Sequence, residues 1–361
     1  MPKLSEIFTL QMGKTPTRAK NEYWNNGDND WVSISDLSTY DKYVGETKET
    51  ISDLAVMESG IKPAPADTVI MSFKLSLGKT AITVKPTYTN EAIMAFIPNG
   101  NYPVHTSYFY HFFVGYDWSN GTNRAVMGST LNKATLSEIE ITVPSIMEQI
   151  EIANCLDKID ALISLRKQQL SKFDELVKSR FIEMFDGKYE TKPLQDVCEE
   201  LFAGGDVKKD KSSDVQSNEY PYPIYTNGEK DNGLYGYTSL VRVRKEAVTI
   251  SGRGTIGFTC LRKEPFYPAV RLIVAVPKQD LVSGCYLQHF IQSKNYGGQG
   301  ASIPQLTVPM IKDELIPVPP IDLQNEFATF VEQVDKSKFE IQKSLEKLET
   351  LKKSLMQKYF G

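Results

Sequence analysis

Cysteine and histidine are scarce in this sequence, and the few present do not gather. Four cysteines (Cys155, Cys198, Cys260, Cys285) and three histidines (His105, His111, His289) are scattered over 361 residues without a C-x-x-C pair. That spacing argues against a structural zinc site and fits a reducing cytoplasm. No apolar run approaches a membrane span, and the opening MPKLSEIFTL lacks the basic-then-apolar form of a signal peptide. Catalytic signatures are missing too. There is no G-x-x-x-x-G-K-S/T loop for a motor, no H-E-x-x-H and no Gly-x-Ser-x-Gly elbow. The Asn/Asp-Pro-Pro-aromatic tetrapeptide that amino-methyltransferases share is also absent, as is low-complexity sequence. Neither charge sign dominates: the formal net charge is −4. This speaks mildly against a general nucleic-acid coat but leaves local basic faces free to bind DNA. What remains is a soluble globular composition, 41% hydrophobic and 24% charged, long enough for two or three domains with proper cores.

One stretch occurs twice. Residues 141–185 and 316–360 align without a gap, so that Pro319 stands 175 positions after Pro144. Val143/Val318, Ile146/Ile321, Gln149/Gln324, Asp160/Asp335, Leu170/Leu345, Leu176/Leu351 and Phe185/Phe360 are identical pairs. A register kept that long marks an internal duplication. Leu156, Ile159, Ile163, Leu170, Phe173, Val177 and Met184 in the first copy follow an alternating three-and-four spacing, as do Ile341, Leu345, Leu348, Leu355 and Tyr359 in the second. This is the apolar seam of a coiled coil. Ser145 with Glu148 reads as a capping box, and Asp322 after Pro319-Pro320 reads as an N-cap. Each copy is expected to be a helix roughly 60 Å long. The flanking carboxylates Glu148, Asp157, Asp160, Asp174 and Glu175 sit among lysines and read as solvated.

The intervals between the helices also resemble each other. Residues 69–98 lie over 248–277 with Ser72/Ser251, Gly78/Gly257, Thr80/Thr259, Pro86/Pro265, Tyr88/Tyr267 and Pro98/Pro277 coinciding. These are short β-rich runs broken by Gly and Pro. The aromatic run Tyr108–Phe113, with His105 and His111, reads as buried strand, and Trp31 as core. The fold class expected is α/β (α+β): two pseudo-repeated globules joined by two long antiparallel coiled-coil helices. Their bounds are 1–143, 144–187, 188–318 and 319–361. Antiparallel helices would place the globules at opposite ends about a two-fold axis, a symmetry that matches separated half-sites on duplex DNA.

One motif imitates a nucleotide site. Gly252-Arg253-Gly254-Thr255-Ile256-Gly257 matches G-x-G-x-x-G after a predicted strand, but such a site needs a helix next, to receive the pyrophosphate. Phe258–Pro265 is strand-like instead, and the duplicate keeps only Gly78. The glycines read as a turn, either structural or bringing Arg253 to a phosphate or base edge.

The run Gly13-Lys14-Thr15-Pro16-Thr17-Arg18, with Glu22-Tyr23-Trp24, Gly27-Asp28 and Trp31–Leu37, resembles the opening of specificity subunits of Type I restriction–modification enzymes. The Val-Pro starts, Gln149 and Gln324, and the long helices are similar to the two conserved regions of that family. The resemblance covers nearly the whole chain, and its specificity lies in the order of the segments. It implies that each globule is a target recognition domain for one part of a bipartite, asymmetric DNA site. It further implies that the helices are a spacer and a docking surface for two methyltransferase subunits, with restriction subunits added to cut unmodified DNA. The specificity chain would do no chemistry and need no cofactor of its own; S-adenosylmethionine, ATP and Mg²⁺ would sit on the partners. One departure is the short margin before the first globule and after the second helix, which leaves open how the two ends are clasped.

Basic residues interleaved with aromatic and amide groups are the candidate DNA contacts. In the first globule these are Lys14, Thr15, Arg18, Tyr23, Ser33, Lys74, Lys79 and Arg124. In the second they are Lys208, Lys209, Tyr225, Asn227, Lys230, Arg242, Arg244, Arg253, Lys263, Tyr267 and Arg271. Lysines mostly meet phosphates, whereas Arg and Asn can read guanine and adenine edges. Two other readings stay open: a coiled-coil scaffold that never reads DNA, and an enzyme active as the isolated chain.

Overall fold

The computed structural model describes residues 1–74, 76–118, 123–125, 128–294, 296 and 305–360; of residues 26, 123–125, 128–130 and 209 it describes the backbone alone. The first globule begins with α1 (Leu4–Ile7), β1 (Phe8–Met12), β2 (Trp24–Val32), α2 (Ile34–Leu37), β3 (Glu49–Ile51) and α3 (Asp53–Ser59). It continues through β4 (Val69–Ser72), β5 (Thr80–Ile82), β6 (Tyr88–Thr89), β7 (Ile93–Pro98) and α4 (Thr106–Gly115). The short β8 (Asn123–Ala125), β9 (Gly128–Thr130) and α5 (Lys133–Ser137) lead to the long α6 (Ile146–Phe185). The second globule runs β10 (Thr191–Pro193), α7 (Leu194–Val197), β11 (Cys198–Ala203), β12 (Ser212–Ser213), β13 (Tyr222–Tyr225) and β14 (Leu234–Thr238). Then come β15 (Ala247–Ile250), β16 (Thr259–Arg262), β17 (Tyr267–Pro268), β18 (Ile273–Pro277), α8 (Gly284–Ser293), α9 (Val308–Ile311), β19 (Leu315–Pro317) and the long α10 (Ile321–Phe360). Two compact units result. One holds residues 1–167 and 343–361, the other 168–342, so each long helix gives one half to each unit.

In the first unit a four-stranded sheet of order β1-β7-β4-β5 is the centre. Side chains alternate across it. Met71, Met94 and Phe96 face α4, while Ile70, Ile93 and Ala95 face an outer layer carrying the small sheet β3-β2-β6. Both faces are covered, so the strands read as continuous apolar runs instead of alternating with polar residues. The second unit repeats the plan with β11-β18-β15-β16. There Val248, Ile250 and Ala275 face α8, and Val274 and Val276 face the outer sheet β12-β14-β13-β17.

The run Tyr108–Phe113 is helix α4, not strand. Every residue of it is buried, so the helix shows no polar face by which its period could be recognised. Burying each ring contributes roughly 2–3 kcal/mol, which outweighs the modest helix propensity of aromatics. His111 and Trp31 are buried as expected.

The predicted seam is the inward face of both long helices: Leu156, Ile159, Val177 and Leu345 are buried. In the first unit Asp160 pairs with Lys352 at 2.5 Å and Lys167 with Glu349 at 3.5 Å. In the second, Lys338 pairs with Asp174 at 2.6 Å and Arg180 with Glu326 at 3.5 Å. Rising numbers on α6 meet falling numbers on α10, so the helices run antiparallel within each unit.

Their starts are built alike but not as the sequence suggested in every detail. Ser145 and Glu148 form the expected capping box, with Ser145 N–H donating to Glu148 at 2.9 Å. Asp322 lies inside the first turn of α10, two residues past the capping position, which Pro320 occupies; there it serves the helix dipole.

Gln149 and Gln324, both fully buried, are the repeated staples. Gln149 accepts from His105 N–H at 2.9 Å and donates to the Pro103 and Pro144 carbonyls, each at 3.0 Å. Gln324 accepts from Ser283 N–H at 2.8 Å and donates to Leu281 at 2.9 Å and Pro319 at 2.8 Å. Each ties the start of a long helix to the start of the helix beneath the sheet, satisfying groups that burial would otherwise orphan. The far ends dock too. Phe360 packs on Tyr108 and Phe112 in the first unit, and Phe185 on Tyr286 and Phe327 in the second. The C-terminal end is thereby clasped against α4.

Candidate nucleic-acid interface

In both units the same end of the central sheet gathers the same set of loops. In the first unit β1 ends at Gly13, where an added Cβ would collide with the Thr89 and Asn90 carbonyls. Lys14 N–H donates to Thr89 O at 2.9 Å, and Trp31 Nε1–H donates to Lys14 O at 3.1 Å. In the second unit Gly204 takes the place of Gly13, against the Pro268 and Ala269 carbonyls. Asn90 N–H meets Val32 O at 3.0 Å, and Ala269 N–H meets Tyr225 O at 2.7 Å. The turns after β4 and β15 match as well. Gly78 and Gly257, at φ 82° and 83°, each donate to the carbonyl of Ser72 or Ser251 at 2.9 Å. Only glycine holds that conformation without strain.

This settles the G-x-G-x-x-G run. Gly252–Gly257 is a turn between β15 and β16, which pair antiparallel with Ile250 opposite Thr259. The residue after the last glycine begins no helix.

On this shared frame the first unit brings Lys14, Thr15, Ser33, Lys74 and Lys79 to one end. Lys14 and Lys79 are exposed, and Lys74 lies over the Phe73 ring. Lys14 Nζ donates to the Ser59 carbonyl. Thr15 accepts from Asn90 Nδ2 at 3.1 Å and donates to Glu91. Ser33 caps α2, accepting from Asp36 N–H at 3.1 Å. Arg18 stands apart in the outer layer. It lies 3.7 Å over Trp24 and forms a two-pronged pair with Glu49 at 2.5 and 3.0 Å, so its guanidinium is already engaged. Tyr23 is a core residue with its hydroxyl on Glu58; burial removes it from any surface. The side chain of Arg124, on β8, lies outside what the structure describes.

In the second unit the corresponding loops carry Lys230, Arg253 and Arg271, all exposed. Arg253 donates to Gln305 Oε1 at 3.1 and 3.3 Å. Asn227 holds the loops together: it accepts from Gly252 N–H at 2.7 Å and donates to Val270 O at 3.0 Å. It is a brace, with both ends of its amide occupied. Tyr225 is buried, its hydroxyl on Glu264 at 2.5 Å; burial first, then that carboxylate, pushes its pKa up to about 12. Half-buried Tyr267 donates to Asp206 O at 3.0 Å. Arg242 and Arg244 belong to the opposite end of the sheet, before β15 begins. Arg242 pairs there with Glu200 at 2.9 Å. Lys263 lies towards α10, where its charge acts on Glu332 and Asp335. Lys208 is exposed on the outer layer, and the Lys209 side chain is not described.

Two features escaped the sequence. Arg262, only 6% exposed, stacks 3.6 Å over Tyr225, yet nothing in its strand-like surroundings signals burial. Asp157 is half-buried and its oxygens are engaged: it accepts from Lys42 at 2.5 Å and Ser107 at 2.8 Å and meets His111 Nε2 at 2.7 Å. Burial raises its carboxyl, but these three partners outweigh that and hold it below the usual range.

A family model for the Type I restriction modification DNA specificity domain matches residues 1–173 and again 187–353, once per repeat. The chain belongs to that family. Specificity chains of Type I systems are recognition subunits and not the catalytic ones, so this one is not an enzyme. It is similar to the MjaIX specificity subunit of Methanocaldococcus jannaschii, at 25% identity across 99% of this chain and 91% of that one. It is similar to the EcoprrI specificity subunit of Escherichia coli, at 23% across 92% and 86%. A putative type I specificity subunit of Mycoplasma pneumoniae is 29% identical over 55% of this chain and 56% of its own length. Among solved structures, the type I S subunit of M. genitalium shares the fold, with TM-score 0.62 at 15% identity over 99% and 95% of the chains. Among the described residues of this specificity chain, no helix is long and apolar enough to cross a membrane.

Proposed function

We propose that this chain selects the target of a Type I methyltransferase and restriction complex, each globule reading one part of a split, asymmetric DNA sequence. The observation that carries the reading is a repeated frame with unrepeated loops. Gly13/Gly204, Gly78/Gly257 and Gln149/Gln324 keep the same geometry, while the exposed residues at the loop end differ: Lys14 and Lys79 on one side, Lys230, Arg253 and Arg271 on the other. Such a frame delivers two different base-reading surfaces from one fold, with lysines on phosphates and arginines on guanine edges. In this reading the long helices set the gap between the two parts and dock two methyltransferase subunits, restriction subunits joining them. Apolar side chains left exposed on those helices support docking: Leu162 and Leu165 in the first unit, Ile182 and Phe339 in the second. S-adenosylmethionine, ATP and Mg²⁺ would be held by the partners, and the complex would act on DNA in the cytoplasm.

The test is a methylation map of DNA from cells expressing the chain with a Type I methyltransferase. A single split motif with adenine methylated in each part, absent without this chain, is the expected result. Partner binding without any new motif would favour a scaffold that does not read DNA.

A further inference from the structure

At the loop 227–233 the second unit departs from the first. Val32, like Tyr225, ends its strand beside the short parallel partner. After Val32 comes Ser33 and the capped helix α2; after Tyr225 comes Thr226 and the open loop Asn227–Gly233. That loop is over-determined at its base and exposed at its tip. Thr226 N–H and the Gly233 carbonyl close it at 2.8 Å, and Gly228 N–H donates to Ser251 Oγ at 3.1 Å. Between them Lys230, Asp231 and Asn232 are exposed. Asp231 (φ 50°, ψ 34°) and Asn232 (φ 52°, ψ 30°) are consecutive left-handed residues. Asp and Asn adopt this region more readily than other side chains, and two in succession give the hairpin between β13 and β14 one defined turn.

The group beneath this turn is Arg262. Its guanidinium is sandwiched under the loop: stacked on Tyr225, donating through Nε to Thr249 Oγ1 at 3.1 Å and through an Nη to the Asn232 carbonyl. One buried cation therefore joins the central sheet, the outer sheet and the turn. The repeat-equivalent position in the first unit is Thr83, whose hydroxyl serves only nearby backbone. Arginine here belongs to this loop and not to the shared frame.

We propose that the 227–233 loop reads base edges of duplex DNA in the half-site of the second globule, with Arg262 as the positioning residue that fixes it. The proposal rests on the DNA-reading function above. Lys230 and Asn232 at the tip are residue types that pair with guanine and adenine edges, and Arg262 never touches DNA. Arg262→Lys keeps the charge but not the flat fork that serves two acceptors and an aromatic face at once, so it rescues little.

The experiment is a methylation map with the full chain and a Type I methyltransferase, comparing wild type, Lys230→Ala, Arg262→Met and Arg262→Lys. Lys230→Ala lies at an exposed tip and leaves folding intact. It is expected to relax the second half of the motif, with preference for the correct base falling roughly tenfold and the first half unchanged. Arg262→Met and Arg262→Lys should relax the same half, with thermal unfolding confirming that the variants fold. If Arg262→Met does not fold, Lys230→Ala and Arg262→Lys decide. A second half read as faithfully in these variants as in wild type overturns this proposal alone; equal relaxation of both halves also overturns it. No split motif from wild type overturns the parent reading instead.

Discussion

Replacing Gln324 by Met removes three buried hydrogen bonds while keeping the volume of the side chain. The Ser283 N–H and the Leu281 and Pro319 carbonyls lose their partner at a site with no exposure. An orphaned buried polar group costs about 1–3 kcal/mol. Some carbonyls will recover water at the α8 end, so we expect a total loss of roughly 3–5 kcal/mol. For a unit of this size that lowers the midpoint by roughly 10 °C. The effect should be local, because Gln149 performs the same task in the other unit with its own partners. Amide hydrogen exchange on the full chain separates the two. Protection at Ser283 should fall at least roughly tenfold, while that at His105 stays. Gln149→Met should give the mirror result. Gln324→Glu adds a sign test. A buried carboxyl has its pKa raised, so whatever stability the protonated acid restores is present at low pH and lost as pH rises through the folded value. A loss below about 1 kcal/mol in Gln324→Met, or equal loss of protection in both units, would show that Gln324 is not the staple of the second unit.

Three further outcomes follow from the same geometry. Gly204→Ala drives a Cβ into the Ala269 carbonyl and lies 2.5 Å from Pro268 O; it should destabilise the second unit by more than about 3 kcal/mol, measured by urea unfolding, and abolish reading of one half-site only. Burial and, against it, the Asp157 contact leave His111 below 6.5, and Asp157 lies below 3.8. Both folded values are depressed, so their stabilisation is present above those ordinary values and lost as pH falls through the folded ones. Asp157→Asn should therefore remove the loss below 3.8 and, because Asp157 raises the His111 value, deepen the loss as pH falls below 6.5, read by amide exchange in the first unit between pH 3 and 7 (roughly the span of these values). If the helices set the gap between half-sites, inserting four residues after Ala161 with a matched four after Thr350 adds about 6 Å. The motif spacer should then lengthen by about two base pairs, and an unchanged spacer in the methylation map would remove the ruler role.

Much of this was legible from residue order alone. The duplication, the seam through Leu156, Ile159 and Val177, the capping box at Ser145 and the strand after Gly257 all depend on local spacing. Periodicity encodes such features directly. The resemblance at Gly13–Leu37 pointed to the right family for the same reason, since it rests on ordered motifs. What sequence could not supply is which face a side chain meets once distant segments come together. Tyr108–Phe113 looked like strand because a helix buried all round has no polar side to betray its period. Tyr23, Tyr225 and Asn227 had the composition of contacts, but the first two are buried with their hydroxyls on Glu58 and Glu264, and the Asn227 amide is taken up by Gly252 and Val270.

Asp157 and Arg262 illustrate the same limit from the other side. Each is a charge on an element that reads as half-exposed, and each is taken up by partners more than ten residues away: Lys42 and His111 for Asp157, Asn232 for Arg262. A charge goes inside only where tertiary structure returns the hydrogen bonds that water provided. Residue order thus specifies the repeat, the long helices and the family. Which cations remain at the loop end, and which are spent holding it in shape, is settled by contacts between segments far apart in the chain.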